Sequence, residues 1–306
     1  MSQGPGRPQL AAAGLMLGSA LLFAIMAAFV KAASVRYTTA EIVFYRSAVG
    51  AVMIAALTRW RGGSLKTAVP AMHFWRCLSG LSALLLWFIS IAGLPLGTAM
   101  TLNSMSSVWM ALFLIGGSVM FGAARVEGGL VATVLVGFIG VALVLQPSFE
   151  QQQLGYGLAG LLSGVLAATA YLQVTALGRA GEPEYRVVFY FSLGGVVLGA
   201  LGMLYSGVST HAGWGPLQLL AIGLLATSAQ MMMTRAYALG HLLVNGALAY
   251  MSLVFGFVFG VVFFDDPISP VALTGVALIV GAGMAATSMR ARRAPELGHN
   301  AGNSEL

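Results

Sequence analysis

Apolar residues arrive along this chain in runs of about 20, the length a helix needs to cross a hydrocarbon core of roughly 30 Å. Short breaks separate the runs. The pattern predicts ten helical segments, at about 10–33, 39–60, 71–92, 96–118, 127–147, 155–178, 184–206, 215–238, 242–264 and 268–289. Pro95, Pro267 and Pro270 stand at or near helix starts, where the first turn has no use for the missing N–H. The first run, Leu10 to Val30, follows Arg7 as the core of a signal peptide would, but it is too long for an ordinary one and reads as a retained helix.

Composition agrees with the pattern. Of the 306 residues, 58% are apolar and only 8% charged, against about 25% charged in a soluble domain. So little charge cannot cover a surface facing water, whereas a surface facing lipid needs none. The expected class is an all-α polytopic membrane protein. Forty glycines fit it, because small residues let helix backbones approach closely where the solvent is as apolar as leucine. The lone Cys77 excludes an internal disulfide.

The net charge of +6 reads as topology. With the N-terminus in the cytoplasm, the alternation of ten spans puts twelve of the fifteen Lys and Arg at cytoplasmic ends, including Arg7, Arg76, Arg186, Arg235 and Arg290. Lys31, Arg36 and Arg46 remain on the exterior side, with Asp265, Asp266 and the loop "PSFEQQQ". Basic residues are retained in the cytoplasm, so both termini are expected there, in the inner (plasma) membrane. No nucleic-acid partner is needed to explain the terminal "MRARRA", which suits a helix-end anchor.

The two halves of the chain echo each other. "AGLMLGSALLFAIMAAFVKA" from Ala13 lines up with "AGLLSGVLAATAYLQVTALG" from Ala159. "EIVFYRSAVGAVMIAAL" from Glu41 is followed 144 residues on by "YRVVFYFSLGGVVLGAL" from Tyr185, with Phe191 in the place of Arg46. "GLPLGTAMTLNSMSSVWMALFL" from Gly93 parallels "ALGHLLVNGALAYMSLVFGFVF" from Ala238. Five helices per half is an odd number, so the second copy enters from the opposite side and the repeat is inverted.

These stretches, with "FYRSAVGA", "WRCLSGLSALLLWFISIAGLPLGTA" and "ISPVALTGVALIVGAG", resemble the drug/metabolite transporter superfamily and its EamA-type permeases from about Leu10 to Met289. Glu127 and Asp266 stand where the family often has an acidic residue before the last helix of each half, although the surrounding "GAARVEGG" matches loosely. The expected organisation is a tail at 1–9, a first repeat at 10–147, a second at 155–290 and a tail at 291–306. The resemblance implies a central cavity lined by helices one to four and six to nine, with helices five and ten peripheral. It also implies alternating access and small metabolite cargo, often exported.

Polar groups inside spans are costly and should face a cavity or another helix. At helical spacing, helix four offers Asn103, Ser106, Ser107 and Met110, and helix eight offers Thr227, Gln230, Thr234 and Tyr237. Helix six adds Gly164, Ala168, Tyr171 and Thr175; helix nine adds Asn245, Tyr250 and Ser252. Ser and Thr often bond their own helix backbone instead, and the sixteen methionines serve as readily for irregular packing as for an adaptable pocket. Trp87, Trp109 and Tyr171 lie deeper than the interface that Trp and Tyr prefer and suit pocket walls. The substrate-binding set expected is Arg46, Trp87, Asn103, Ser107, Tyr171, Gln230, Tyr237 and Tyr250.

Arg46 is the cation read as lying well inside a span, roughly 10 Å below the start of helix two at about 1.5 Å per residue. It either snorkels outward toward Glu41 or presents a donor fork to a carboxylate or phosphate. Gly50, one turn on, suits a close helix contact that would fix its direction. No Asp or Glu falls in the middle of a span. Proton-coupled export of organic cations relies on such a carboxylate, so the cargo expected is neutral, zwitterionic or anionic, amino acids and their relatives first. Asp265, Asp266 or the cargo itself then remain as proton carriers.

An intramembrane enzyme would need a nucleophile–base pair or a metal constellation. His73, His211, His241 and His299 lie at ends, in loops or in a tail, and neither H-E-x-x-H nor G-x-S-x-G occurs. No catalytic residue, metal or cofactor is expected. The partners are a small-molecule substrate and the lipid bilayer. Metabolite uptake and flipping of lipids or lipid-linked sugars are the alternatives to export.

Overall fold

The computed structural model describes residues 7–120, 151–211, 213–239, 245, 248–267 and 269–291, with positions 132, 136, 139, 140 and 143 between them. Among these residues every regular element is a helix: α1 (Arg7–Ala33), α2 (Thr39–Trp60), α3 (Pro70–Gly93), α4 (Leu96–Ser104), α5 (Ser106–Met120), α6 (Gln151–Arg179), α7 (Glu184–Ser206), α8 (Gly215–Leu239), α9 (Met251–Phe264) and α10 (Pro270–Ala291). Six of them, α1, α2, α3, α6, α7 and α8, are long and apolar enough to cross a membrane. Of the segment expected at 127–147, positions 132, 136, 139, 140 and 143 are described and helical, while Arg125 and Glu127 lie outside the described residues. The tails are shorter than expected, since α1 already begins at Arg7 and α10 runs to Ala291; residues 1–6 and 292–306 lie outside the described residues.

Helix ends follow local chemistry. Thr38 and Glu41 form a capping box at the start of α2: the Glu41 N–H donates to Thr38 Oγ1 at 3.3 Å and the Thr38 N–H to Glu41 Oε2 at 2.9 Å, satisfying two of the four orphan donors of a helix N-terminus. Pro70 opens α3 and Pro270 opens α10. Gly207, at φ +77°, ends α7 in a backbone conformation that side chains with a Cβ disfavour.

Two findings differ from the sequence pattern. The fourth segment is not one helix: it breaks at Met105, between α4 and α5. Tyr250 is a turn of the same kind, with helical residues at Leu248 and Ala249 on one side and α9 on the other. The polar loop "PSFEQQQ" is also shorter than expected, because its glutamines already belong to α6.

Helix packing is reciprocal. α1 packs along α8, α3 along α6, and α2 along α7; α4 lies against both α6 and α9, and α1 against α9. The α2–α7 contact is made by small residues. A Cβ at Gly199 would stand 2.6 Å from the Phe44 backbone nitrogen, and Gly195 and Gly202 face Ser47 and Ala40, so the two backbones touch as in small-residue membrane contacts. On the outer face of α7, Leu193, Val197, Leu201 and Leu204 are exposed at helical spacing, as a lipid-facing row requires. Polar side chains turn inward instead, and they surround a cavity.

Candidate functional site

The cavity has a volume of about 130 Å³ and is walled by α1, α2, α3, α4, α5, α6, α7, α8 and α9. All eight residues singled out from the sequence line it: Arg46, Trp87, Asn103, Ser107, Tyr171, Gln230, Tyr237 and Tyr250. No α10 residue does, among the described residues.

Arg46 is buried and does not snorkel. Its Nη2 donates to Gln230 Oε1 at 2.9 Å. Glu41 is engaged elsewhere: it accepts the Ser209 N–H and O–H, both at 2.7 Å, besides the N-cap contact. Gly50 lets α2 come close to its neighbours, since a Cβ there would stand 2.7 Å from Thr227 Oγ1 and 2.8 Å from Ser192 Oγ. Arg46 therefore projects from a tightly seated helix.

Arg76 corrects the sequence reading, which placed it at the cytoplasmic end of the third helix. It is 3% exposed, in the second turn of α3, and lines the same cavity. Its side chain passes over Gly80, one turn further on, where a Cβ would collide with the guanidinium. The glycine was the one signal available, because it leaves room on the helix face for the arginine to reach inward.

Both cations meet on Phe191, the residue that holds the arginine's place in the second half. The Arg76 Cζ lies 4.4 Å and the Arg46 Cζ 5.5 Å from the ring centroid. Both distances suit cation–π attraction, and they put the two guanidinium carbons within about 10 Å of each other. Among the described residues no Asp or Glu lines the cavity, and neither arginine has an ion-pair partner. Arg46 Nε, Arg76 Nε and Nη1, and Trp87 Nε1 are buried without a hydrogen-bond partner among the described residues. Such groups also occur elsewhere in the bundle, at Ser47, His73 and Ser90 for example, but these four belong to residues that line one cavity.

The rest of the wall is amide, hydroxyl and aromatic. Asn103 Nδ2 donates to Ser163 Oγ at 3.0 Å. The rings of Tyr171 and Tyr237 lie 5.9 Å apart and tilted by 32°, and Ser107 stands beside the Tyr250 phenol. Gly164 of α6 presses on the broken helix, 2.8 Å from Leu102 O at its Cβ position. Other candidates turn away. Thr227 and Thr175 donate to the carbonyls of Gly223 and Tyr171 in their own helices, Asn245 donates to Ala236 O, and Trp109 stacks near Phe113 outside the lining.

Polar clusters tie the bundle at both ends of α3. Where α3 ends, Lys31 Nζ bonds Leu94 O at 3.0 Å and Asp266 Oδ1 at 3.1 Å, while Asp266 Oδ2 accepts the Leu96 N–H at 2.7 Å. Where α3 begins, Glu182 meets His73 Nε2 at 3.1 Å and accepts from Arg186 Nη1 and the Thr67 hydroxyl, both at 3.0 Å. Burial pushes the Glu182 carboxyl up, but the hydrogen bonds from His73, Thr67 and Arg186 outweigh it and hold the group below its ordinary value. Asp266, considered from sequence as a proton carrier, is here an acceptor joining the last turn of α1 to the first residue of α4.

The pseudopaline exporter CntI of Pseudomonas aeruginosa is 32% identical to this chain over 261 residues, covering 84% of this chain and 89% of that protein. The chain belongs to the transporter family of CntI. It is a multi-pass membrane transporter by that membership and by its six long apolar helices. An uncharacterized transporter of Helicobacter pylori is 27% identical over 280 residues, covering 88% of this chain and 92% of that one. A crystal structure of another protein superposes with a TM-score of 0.68 at 20% identity, over 93% of this chain and 99% of that one, a likeness of fold alone. No family model matches the chain.

Proposed function

We propose that the chain is a secondary-type exporter of small metabolites bearing an anionic group, amino acids and related zwitterions or acids first. In this reading it is an EamA-type permease of the drug/metabolite transporter superfamily. It works by alternating access between two inverted five-helix repeats, with both termini in the cytoplasm. One observation carries the cargo class: Arg46 faces the cavity bonded to a neutral amide, with no carboxylate in the lining. A cation held this way has donors left for a carboxylate or phosphate.

Three further observations support the repeat. The α1–α8 and α3–α6 contacts exchange under the swap of halves, and α2–α7 maps onto itself. The breaks at Met105 and Tyr250 are 145 residues apart, the same offset that relates Gly93 to Ala238 in the sequence echo. Discontinuous helices at a repeat interface are a common way to build a transport site. Export follows the name of the Pseudomonas relative.

Purified protein in liposomes should exchange labelled anionic or zwitterionic metabolites in counterflow, and the recovered cargo should be chemically unchanged, as befits a carrier that is not an enzyme. Arg46→Gln should lose most of this exchange while melting in detergent as the parent does. Full exchange by the folded variant would sink the role of Arg46; chemically altered cargo would sink the reading as a pure carrier.

A further inference from the structure

Burying one guanidinium without a counter-ion is expensive; the effective penalty is several kcal/mol per ion even after relaxation. This cavity holds two, both under 5% exposed, on one aromatic ring and without an acid between them. Arginines kept for architecture are paired or fully hydrogen-bonded. Here Arg46 spends one nitrogen on Gln230, its Nε is unpartnered, and Arg76 leaves both Nε and Nη1 unpartnered. Two guanidinium groups, one carried by α2 and one by α3, therefore line the same space.

We propose that the cargo carries two anionic groups, one engaged by Arg46 and one by Arg76, with Phe191 beneath both. This deepens the transport reading above and rests on it for the word cargo, but the two-point site stands on its own geometry. The ring fixes the spacing. Guanidinium carbons within about 10 Å suit carboxylates a few bonds apart, each taken bidentately. Trp87 Nε1, also unpartnered, supplies a neutral donor to the body of the molecule between its acids. A compact anion such as inorganic phosphate reaches one fork and leaves the other bare.

The test is equilibrium binding to the purified full chain in detergent by calorimetry. The probes are linear dicarboxylates of increasing length, the monoamide of each, and inorganic phosphate. The expected result is one preferred chain length that binds at least about tenfold tighter than its monoamide. Phosphate should resemble the monoamides. Arg46→Gln and Arg76→Gln should each bring the ratio of diacid to monoamide to about one, while Arg76→Lys keeps part of it. A thermal melt of each variant checks that it folds.

Equal binding of diacid and monoamide overturns the proposal. So does phosphate binding as tightly as the best diacid, no binding of any dianion up to about 10 mM, or an unchanged ratio in folded Arg76→Gln. The transport reading fails separately: a chain that shows the diacid preference but moves nothing in liposomes keeps the two-point site and loses the carrier. A chain that moves monoanions with no diacid preference does the reverse.

Discussion

A single methyl group at position 80 should cripple transport without harming the fold. The Cβ of Gly80→Ala would occupy the place of the Arg76 guanidinium, with Arg76 Cζ at 2.9 Å and Phe191 Cε2 at 3.0 Å. The atom in the way is the far end of a flexible side chain, so the arginine swings off Phe191 while the backbone stays. Leaving the ring takes from the cargo a charge-assisted hydrogen bond of about 1.5–3 kcal/mol, which is about ten- to 150-fold in affinity, and takes from the protein a cation–π contact of about 1–2 kcal/mol. Meanwhile the exchange of glycine for alanine in a helix interior favours the helix by about 1 kcal/mol. The two assays then separate: counterflow at subsaturating cargo should fall by that factor, while the melting temperature in detergent should change little, because the helix gain offsets most of the lost ring contact. In an Arg76→Gln background the methyl should cost nothing more, since contacting residues couple. Parental counterflow in Gly80→Ala, or a loss that tracks a lowered melting temperature, would refute the link between Gly80 and Arg76.

The remaining predictions concern stability. Glu182, held below its ordinary value of 4.5, contributes stability that is complete above that value and lost as pH falls through the depressed native value. Melts from pH 7 to pH 3 should therefore decline more steeply for the parent than for Glu182→Gln, with about 1.5–3 kcal/mol separating them at neutral pH; parallel curves would mean that the carboxylate is idle. Asp266→Asn should lower stability by about 1 kcal/mol through the partly exposed Lys31 pair, and Asp266→Ala by more, because the Leu96 N–H then loses its acceptor; equal melts for both would contradict this. Gly199→Val sets a branched side chain against the Phe44 backbone and should cost at least about 1–3 kcal/mol by overpacking, visible as low yield and an early melt. A parental melt would mean that α2 and α7 are not pressed together there.

The spans were readable because lipid sets a length and excludes charge. The second and seventh segments, expected at 39–60 and 184–206, coincide with α2 and α7. The cavity wall was partly readable for the same reason: Asn103 and Gln230 carry groups that hydrocarbon cannot satisfy. Arg76 was not, because a cation near a helix start satisfies the positive-inside pattern whether it reaches out to headgroups or in to a cavity, and only Gly80 hints at the second. The breaks at Met105 and Tyr250 leave no trace in residue type, since neither site carries a proline or a glycine. At Met105 the break lies where α6 packs closest, with Gly160 and Gly164 pressed against Leu102 and Asn103.

Two like charges on one ring also bear on kinetics. At about 10 Å and an effective dielectric of about 20, two guanidinia repel by roughly 2 kcal/mol, and a dianion between them removes that repulsion. In the proposed alternating-access cycle, closing the empty cavity excludes water and strengthens that repulsion, so the unloaded carrier should meet the larger barrier to reorientation. Exchange of cargo for cargo should outpace net efflux, and cargo added on the far side should accelerate release from the near side. On the two-anion reading, Phe191, by holding both arginines in one place, should favour exchange of cargo over net export.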